Sequence, residues 1–191
     1  GMFSVGRERR ASDDFRSDLR GSDNWPLSRN PDTDEEQKQK ATPHGTAILV
    51  VEPDSCGQLS ADWSVLLPVT QAFRALHHDG KGRLKLLLHG CFFVDSGRKA
   101  VIGLDDDGPR HSEQKPSNEA ALRADWNRSL RDELVLPLIP AVFHDALAQQ
   151  VLSSEALAAA VSALANSDFG RTHSEAIAAE HVLARCVDIT R

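Results

Sequence analysis

The strands of a sheet are predicted by short apolar runs at residues 46–52, 63–69, 83–90 and 99–104. The first run, TAILVVE, is rich in the β-branched residues that strands favour. The segment between the second and third runs, residues 71–82, indicates a short helical turn or a loop. Because the runs lie close together and are joined by short turns, we expect an antiparallel or mixed sheet rather than a parallel one.

The apolar period becomes helical after residue 117. Large apolar residues then recur every four positions, on one face of a helix: Leu122, Trp126, Leu130 and Leu134. Pro137 and Pro140 should kink or break this helix. Ser153 or Ser154 can begin a further helix that ends near residue 165. The pattern predicts an α+β fold, with helices packed on a small sheet of about four strands and a helical C-terminal section.

Composition divides the chain into three parts. Residues 1–43 mix charges of both signs with few apolar side chains, which predicts a flexible arm or linker. Its aromatic residues are exceptions that can dock on a partner domain: Phe3, Phe15 and Trp25. Residues 44–150 carry the sheet and the main helix, and residues 151–191 form the helical C-terminal section, including a last helix over residues 173–187.

The charge of the chain narrows the class of protein. The 191 residues carry a net charge of −6, which argues against a nucleic-acid-binding protein.

The longest apolar runs are shorter than the roughly 20 residues that a membrane span needs. Cys56, Cys91 and Cys186 are odd in number and far apart, so reduced thiols in the cytoplasm are expected. The N-terminus is polar and has no apolar core of a signal peptide.

The stretch of residues 86–104 holds the candidate chemistry. His89 and Cys91 lie two positions apart, so in a strand they would share a face, and a thiol nucleophile is one interpretation. A core cysteine is the default interpretation. The polar residues that follow predict a tight turn: Asp95, Ser96, Gly97, Arg98 and Lys99. In that turn Arg98 either lies in water or reaches an anionic group.

Neither a metal site nor a nucleotide site is predicted. His77, His78 and Asp79 are adjacent in sequence, and Asp105–Asp107 lack the spaced oxygen ligands of a calcium loop, so solvated loops are favoured for both. The nucleotide motif Asp-x-Gly-x-Gly would need a glycine where Lys99 stands. We therefore expect no cofactor in this chain.

The order and spacing of three segments resemble a known family. These are WSVLLPV, LKLLLHGCFFVDSGRKAV and LRADWNRSLRDELVLPLIPAV. They are similar to the segment that follows the ATPase domain in large sacsin-like bacterial proteins, whose ATPase is of the gyrase, heat-shock chaperone and histidine-kinase class. The resemblance covers about residues 46–147, and its most distinctive pairs are His89-Gly90, Phe92-Phe93 and Trp126-Asn127, with Ser96-Gly97-Arg98 between them.

The resemblance implies a middle or transducer-like domain that itself binds no nucleotide. In the related chaperones such a domain supplies a basic residue to the terminal phosphate of ATP held in the neighbouring ATPase domain. By position Arg98 is the residue for that role, Lys99 is a weaker candidate, and His89, Asp95, Ser96 and Gly97 would support the turn. Trp126 and Asn127 are assigned structural roles. The partner would be the neighbouring ATPase domain.

Two alternatives stay open at the level of sequence. The chain can be a stand-alone protein-interaction module that docks through its helical C-terminal section, with an unknown protein partner. It can also be a hydrolase that uses Cys91 and His89, although no orienting acid or oxyanion donor is identifiable. The accessory-domain interpretation predicts no enzyme activity for the isolated chain.

Overall fold

The fold is seen in a computed structural model that describes residues 1–21, 25, 43–53, 55–65, 67–104 and 119–177. The strands are β1 (Phe3–Arg10), β2 (His44–Glu52), β3 (Gln58–Val65), β4 (Leu67–His77) and β5 (Arg83–Gly90). They form one sheet in the order β1-β2-β5-β3-β4, with a parallel pairing between β3 and β5 and antiparallel pairings elsewhere. The predicted α+β class is confirmed, with a mixed sheet of five strands rather than about four.

The helices occupy one side of this sheet. They are α1 (Ser17–Arg20), α2 (Glu119–Ser129), α3 (Ile139–Ala148), α4 (Ser154–Asn166), α5 (Asp168–Thr172) and α6 (Ser174–Ile177). Alternate residues of β2 and β5 have no solvent exposure because they face these helices: Ala47, Leu49, Val51, Leu84, Leu86 and Leu88. Their intervening neighbours are half-buried or exposed, so the core lies between one face of the sheet and the helices.

The main helix changes its winding and does not end at the prolines. A π-helical turn covers Leu130–Val135, a 3-10 turn covers Leu136–Leu138, and α3 follows directly. Pro137 and Pro140 lack the N–H that an α-helix requires, and each lies in the first turn of its segment, where no donor is needed. The expected disruption is therefore a change of helix type.

Gly45 allows this helical path to touch the sheet. A β-carbon on Gly45 would lie 2.9 Å from the backbone carbon of Leu134. Any larger residue at position 45 would push the π-helical turn away from β2. The glycine that bounds the predicted strand is thus also a point of close contact between the sheet and the helix.

The prediction of a flexible arm over residues 1–43 is wrong for its first part. Residues 3–10 form β1, which pairs antiparallel with β2 along its whole length. Strand β1 has one buried residue, Val5, so burial of apolar side chains contributes little to its stability. Backbone hydrogen bonds with β2 stabilise the strand instead. An ion pair between Arg7 of β1 and Asp145 of α3 adds a second attachment.

Three local predictions in the sheet region are also wrong. The apolar run at residues 63–69 does not form a single strand, because it joins the end of β3 to the start of β4. Pro68 lies at the beginning of that edge strand, where a missing N–H costs little. Residues 71–77 continue β4 instead of forming a helical turn or loop. The predicted strand at 99–104 is reduced to one bridge, between Val94 and Val101.

The C-terminal helices follow the sequence more closely. Helix α4 begins after Ser153, whose hydroxyl accepts a hydrogen bond from the N–H of Ala156 at 3.2 Å, as the capping pattern predicts. After α4, the hydroxyl of Ser167 caps the short helix α5 by accepting from the N–H of Gly170 at 3.0 Å. The predicted last helix is described only as far as Ile177, and the rest of it lies outside the described residues. Within the described ranges, no helix has both the length and the apolar character needed to cross a membrane.

Candidate functional site

The polar turn at residues 95–99 closes a small hairpin that follows β5 and has one antiparallel bridge, between Val94 and Val101. At its tip the N–H of Arg98 donates to the carbonyl of Asp95 at 3.0 Å. Below the tip, the N–H of Asp95 donates to the carbonyl of Ala100 and the N–H of Ile102 donates to the carbonyl of Phe93, both at 3.0 Å. We call residues 93–102 the arginine hairpin.

The side chain of Asp95 holds the turn from within. Its Oδ1 accepts hydrogen bonds from the N–H of Lys99 at 2.6 Å and from that of Ala100 at 3.1 Å. The N–H groups of Ala100 and Lys99, followed by the charge of Lys99, hold the pKa of the Asp95 carboxyl below its ordinary value of 3.8. Near neutral pH the turn therefore has a charged, hydrogen-bonded anchor on its inner side.

Arg98 occupies an unusual backbone conformation at the tip. Its φ of 52° is in the left-handed region, which a residue with a β-carbon enters at a cost of about 1–2 kcal/mol. Glycine would avoid that cost, yet the neighbouring position 97 carries the glycine and position 98 carries the arginine. Ser96, Gly97, Arg98 and Lys99 are all exposed, so the strained residue presents its side chain to solvent.

Asn127 fixes the base of the arginine hairpin to α2. Its side chain is fully buried, and its Oδ1 accepts from the N–H of Phe93 at 2.7 Å. Its Nδ2 donates to the carbonyl of Phe93 at 2.7 Å and to that of Ile102 at 2.8 Å. One amide thus holds both strands of the hairpin. The structural role predicted for Asn127 takes this form.

Trp126 packs beside Asn127 and supports the same region. Its side chain has no solvent exposure, and its Nε1 lies 3.4 Å from the carbonyl oxygen of Cys91. Gly103, with φ of 76°, brings the chain against α2 just after the hairpin, since a β-carbon there would lie 2.5 Å from that of Ala124. Helix α2 therefore contacts the chain just before the hairpin, at the base of the hairpin and just after it.

The cations around the hairpin differ in their ion pairing. Arg16 pairs with Asp18, Arg123 pairs with Glu119 and Arg128 pairs with Asp125. Across the described part of the chain, Arg98 and Lys99 form no ion pair. The tip of the hairpin consequently offers two cationic side chains that can engage an anion from outside.

A second group of polar residues lies where β2 begins and β5 ends. Sγ of Cys91 lies 3.3 Å from Nδ1 of His44, and the ring centroids of His44 and His89 are 5.6 Å apart. Sequence spacing suggested His89 as the neighbour of Cys91 and missed His44, which is 47 residues away. Only the pairing of β2 with β5, which places Gly45 opposite Gly90, brings His44 close.

Burial of this group affects the titration of His89. Loss of hydration lowers its pKa below the ordinary value of 6.5 and the charge of His44 lowers it further, while a hydrogen bond with the backbone of Ser64 and, after it, the charge of Glu8 oppose the shift. The unfolded chain therefore binds a proton more readily than the folded chain, and stability decreases as the pH falls through about 6.5. His78 is shifted in the same direction, mainly by loss of hydration.

We expect the melting temperature to fall between about pH 7.5 and pH 5.5, and to fall less in His89→Gln, which cannot take up the proton. Thermal denaturation of both proteins at the two pH values measures the difference. Part of the decrease should persist in the variant because His78 is unchanged. Equal decreases in the two proteins would show that His89 keeps its ordinary pKa on folding.

Cys91 is poorly placed for a nucleophile because its residue is only 7% exposed. Cys56 is an exposed free cysteine and provides an internal reference. With iodoacetamide at pH 7.5 we expect Cys56 to be alkylated at least about tenfold faster than Cys91, as measured by peptide mass spectrometry. Faster modification of Cys91, slowed by His44→Ala, would instead support the hydrolase interpretation.

The possible metal ligands do not converge. Among the described residues, no group of three or more histidine, cysteine, aspartate or glutamate side chains is arranged to hold a metal ion. His77 ends β4, and His78 and Asp79 follow it in the turn toward β5. The acidic run Asp105–Asp107 lies outside the described residues.

Comparison of the chain with protein-family models, curated proteins and solved structures gives no match. The geometry of the arginine hairpin therefore carries the functional argument.

Proposed function

We propose that this chain is a non-catalytic accessory domain of a cytoplasmic, chaperone-like bacterial ATPase, similar to the transducer-like segment of sacsin-like proteins. In this proposal the arginine hairpin meets the terminal phosphate of ATP bound in a neighbouring ATPase domain. Arg98 makes the main contact and Lys99 a lesser one. The exposed free thiol of Cys56 is consistent with the reducing cytoplasm.

The observation that carries the proposal is the presentation of Arg98. It lies exposed at the tip of a turn, in a backbone conformation that costs energy, and no carboxylate of the described residues neutralises it. Strain of this kind persists only where surrounding contacts enforce it, and it is concentrated at functional positions. Here Asp95 and Asn127 supply those contacts.

A guanidinium held in this way suits the chemistry of phosphoryl transfer. Negative charge on the terminal phosphate is redistributed in the transition state, and a positioned arginine stabilises it without taking or giving a proton. A guanidinium also presents paired N–H donors that match phosphate oxygens. The ATPase domain would bind the nucleotide and activate the water, and this chain would add the cation.

The hairpin also offers a route for coupling. Asn127 joins its base to α2, and α2 continues through the π-helical turn that touches β2 at Gly45. A force on the tip therefore reaches the helices and the sheet through hydrogen bonds and close contacts. Partner contacts made elsewhere on the domain could respond to the state of the nucleotide by this route.

ATP turnover by a protein that contains both the ATPase domain and this chain tests the proposal. The wild-type chain should support turnover, and Arg98→Ala should remove most of it while nucleotide binding persists. Two findings together would contradict the proposal: the reading frame encodes no ATPase domain, and this chain stimulates no separate ATPase. They would favour an independent interaction module.

A further inference from the structure

Residues that precede the second strand close over the base of the arginine hairpin. Phe15, Leu19 and Trp25 are buried, with 8%, 3% and 4% of their surfaces exposed. They belong to the segment whose composition predicted a flexible arm. We call these three residues the N-terminal clasp. Their burial shows that aromatic and aliphatic side chains attach this segment to its own domain, whereas the sequence suggested that the aromatic residues dock on a partner domain.

The clasp contacts the same residues that hold the hairpin. The ring of Trp25 lies edge-on to Phe93, with centroids 5.8 Å apart, and its centroid is 5.1 Å from that of Trp126. Phe15 packs edge-on against Trp126 at 5.5 Å. Aromatic pairs in such arrangements contribute about 0.5–1.5 kcal/mol each beyond the burial of their surface.

Phe93 is the point where the clasp and Asn127 meet. Asn127 binds the N–H and the carbonyl of Phe93, while the ring of Phe93 contacts Trp25 on one side. The guanidinium of Arg123 lies 5.4 Å from the centroid of the same ring. Removing Trp25 would open one wall around the residue from which the hairpin begins.

The clasp is held by tertiary contacts more than by local preference. Helix α1 has only four residues and is too short to be stable alone. Arg16, just before it, has φ of 46° in the left-handed region. Its guanidinium binds Asp18 and the hydroxyl of Ser129, so a contact with α2 helps to maintain the strained residue. The clasp therefore depends on its contacts with α2 and with the hairpin.

We infer that the N-terminal clasp sets how firmly the arginine hairpin is held, so that a domain or partner that displaces the clasp loosens the hairpin. The physical link is a single step, from Trp25 through Phe93 to the backbone hydrogen bonds of the hairpin. Its consequence for ATP turnover rests on the proposed function. The link itself is a property of this chain and is measurable without nucleotide.

Hydrogen exchange of individual amides in the full chain tests the link. In Trp25→Ala the N–H groups of Asp95 and Ile102 should exchange at least about tenfold faster, because the hairpin opens more often. The N–H groups of Leu49 and Leu86 in the sheet core should keep their protection. Trp25→Phe, which preserves an aromatic ring, should give a smaller acceleration in the same amides.

Phe3→Ala is the matched control, since Phe3 lies on β1 in the same segment but is 46% exposed. It should leave the exchange of Asp95 and Ile102 unchanged. Unchanged hairpin exchange in Trp25→Ala would overturn the inference. If Trp25→Ala accelerates the hairpin and the sheet core equally, the milder variants Trp25→Phe and Trp25→Leu decide: selective acceleration of the hairpin supports the inference, and equal acceleration overturns it.

The result of the hydrogen-exchange test does not depend on the proposed function. If Trp25→Ala loosens the hairpin selectively and Arg98 has no effect on any ATPase, the inference about the clasp stands and the proposed role of Arg98 is refuted. Loss of turnover in Arg98→Ala without any effect of Trp25 on exchange would do the reverse.

Discussion

Asn127→Ala is expected to lower the free energy of unfolding by about 3–5 kcal/mol. The substitution removes three hydrogen bonds between the side chain and the backbone of Phe93 and Ile102. It also leaves the N–H of Phe93 and the carbonyl of Ile102 without this partner, and each unsatisfied buried group costs about 1–3 kcal/mol, while the carbonyl of Phe93 keeps its bond from the N–H of Ile102. In the variant, the hairpin can relax so that water reaches some of these backbone groups. The expected loss of stability is therefore smaller than the summed cost of all the broken hydrogen bonds.

Chemical denaturation with urea measures this loss, and Asn166→Ala provides the matched control. Asn166 is exposed at the end of α4, and its side chain makes one long hydrogen bond, 3.4 Å, to the hydroxyl of Ser162. Its replacement should change stability by less than about 0.5 kcal/mol. A loss below about 1 kcal/mol in Asn127→Ala would mean that the hairpin base is not held as described.

Arg98→Ala is expected to reduce kcat for ATP by about 100- to 1000-fold in a protein that includes the ATPase domain. The reason is that a positioned guanidinium stabilises charge that is larger in the transition state than in the bound nucleotide. Nucleotide affinity should change little, since the ATPase domain holds most of the nucleotide. Arg98→Lys should recover only part of the rate, because an ammonium lacks the paired donors of a guanidinium.

Arg98→Gly separates this effect from the stability of the domain. Glycine adopts the left-handed conformation of residue 98 without the penalty of a β-carbon, so the variant should be at least as stable as the wild type. It should nevertheless lose turnover to the same degree as Arg98→Ala. Arg74→Ala, which removes an exposed arginine from β4, should leave both stability and turnover nearly unchanged.

The sequence predicted those elements whose pattern is strong and local. Residues 46–52 and 83–90 lie within β2 and β5, because both runs alternate between a buried and a half-exposed face in the centre of the sheet. Helix α4 was predicted with its cap at Ser153. Strand β1 was missed because its stability comes from pairing with β2, which is a nonlocal contact. Strand β4 was missed because an edge strand tolerates charged and polar residues.

The candidate site was likewise predictable only where its sequence pattern is local. The turn from Asp95 to Lys99 is visible as local turn chemistry, and the exposure of Arg98 follows from it. The buried contacts of Asn127 with both strands of the hairpin were not predictable, because they join residues 25 and 34 positions apart. The contact of His44 with Cys91 has no local signal, since it depends on the register of two strands.

The most direct test of the role of Arg98 is a comparison of kcat and nucleotide affinity in Arg98→Gly and Arg74→Ala, each in the protein that contains the ATPase domain. We predict a loss of about 100-fold or more in kcat for Arg98→Gly, with nucleotide affinity retained and the fold at least as stable as the wild type. Arg74→Ala should match the wild type. Equal kcat values in the two variants would contradict the account, because a cation at the tip of the arginine hairpin would then have no part in ATP turnover.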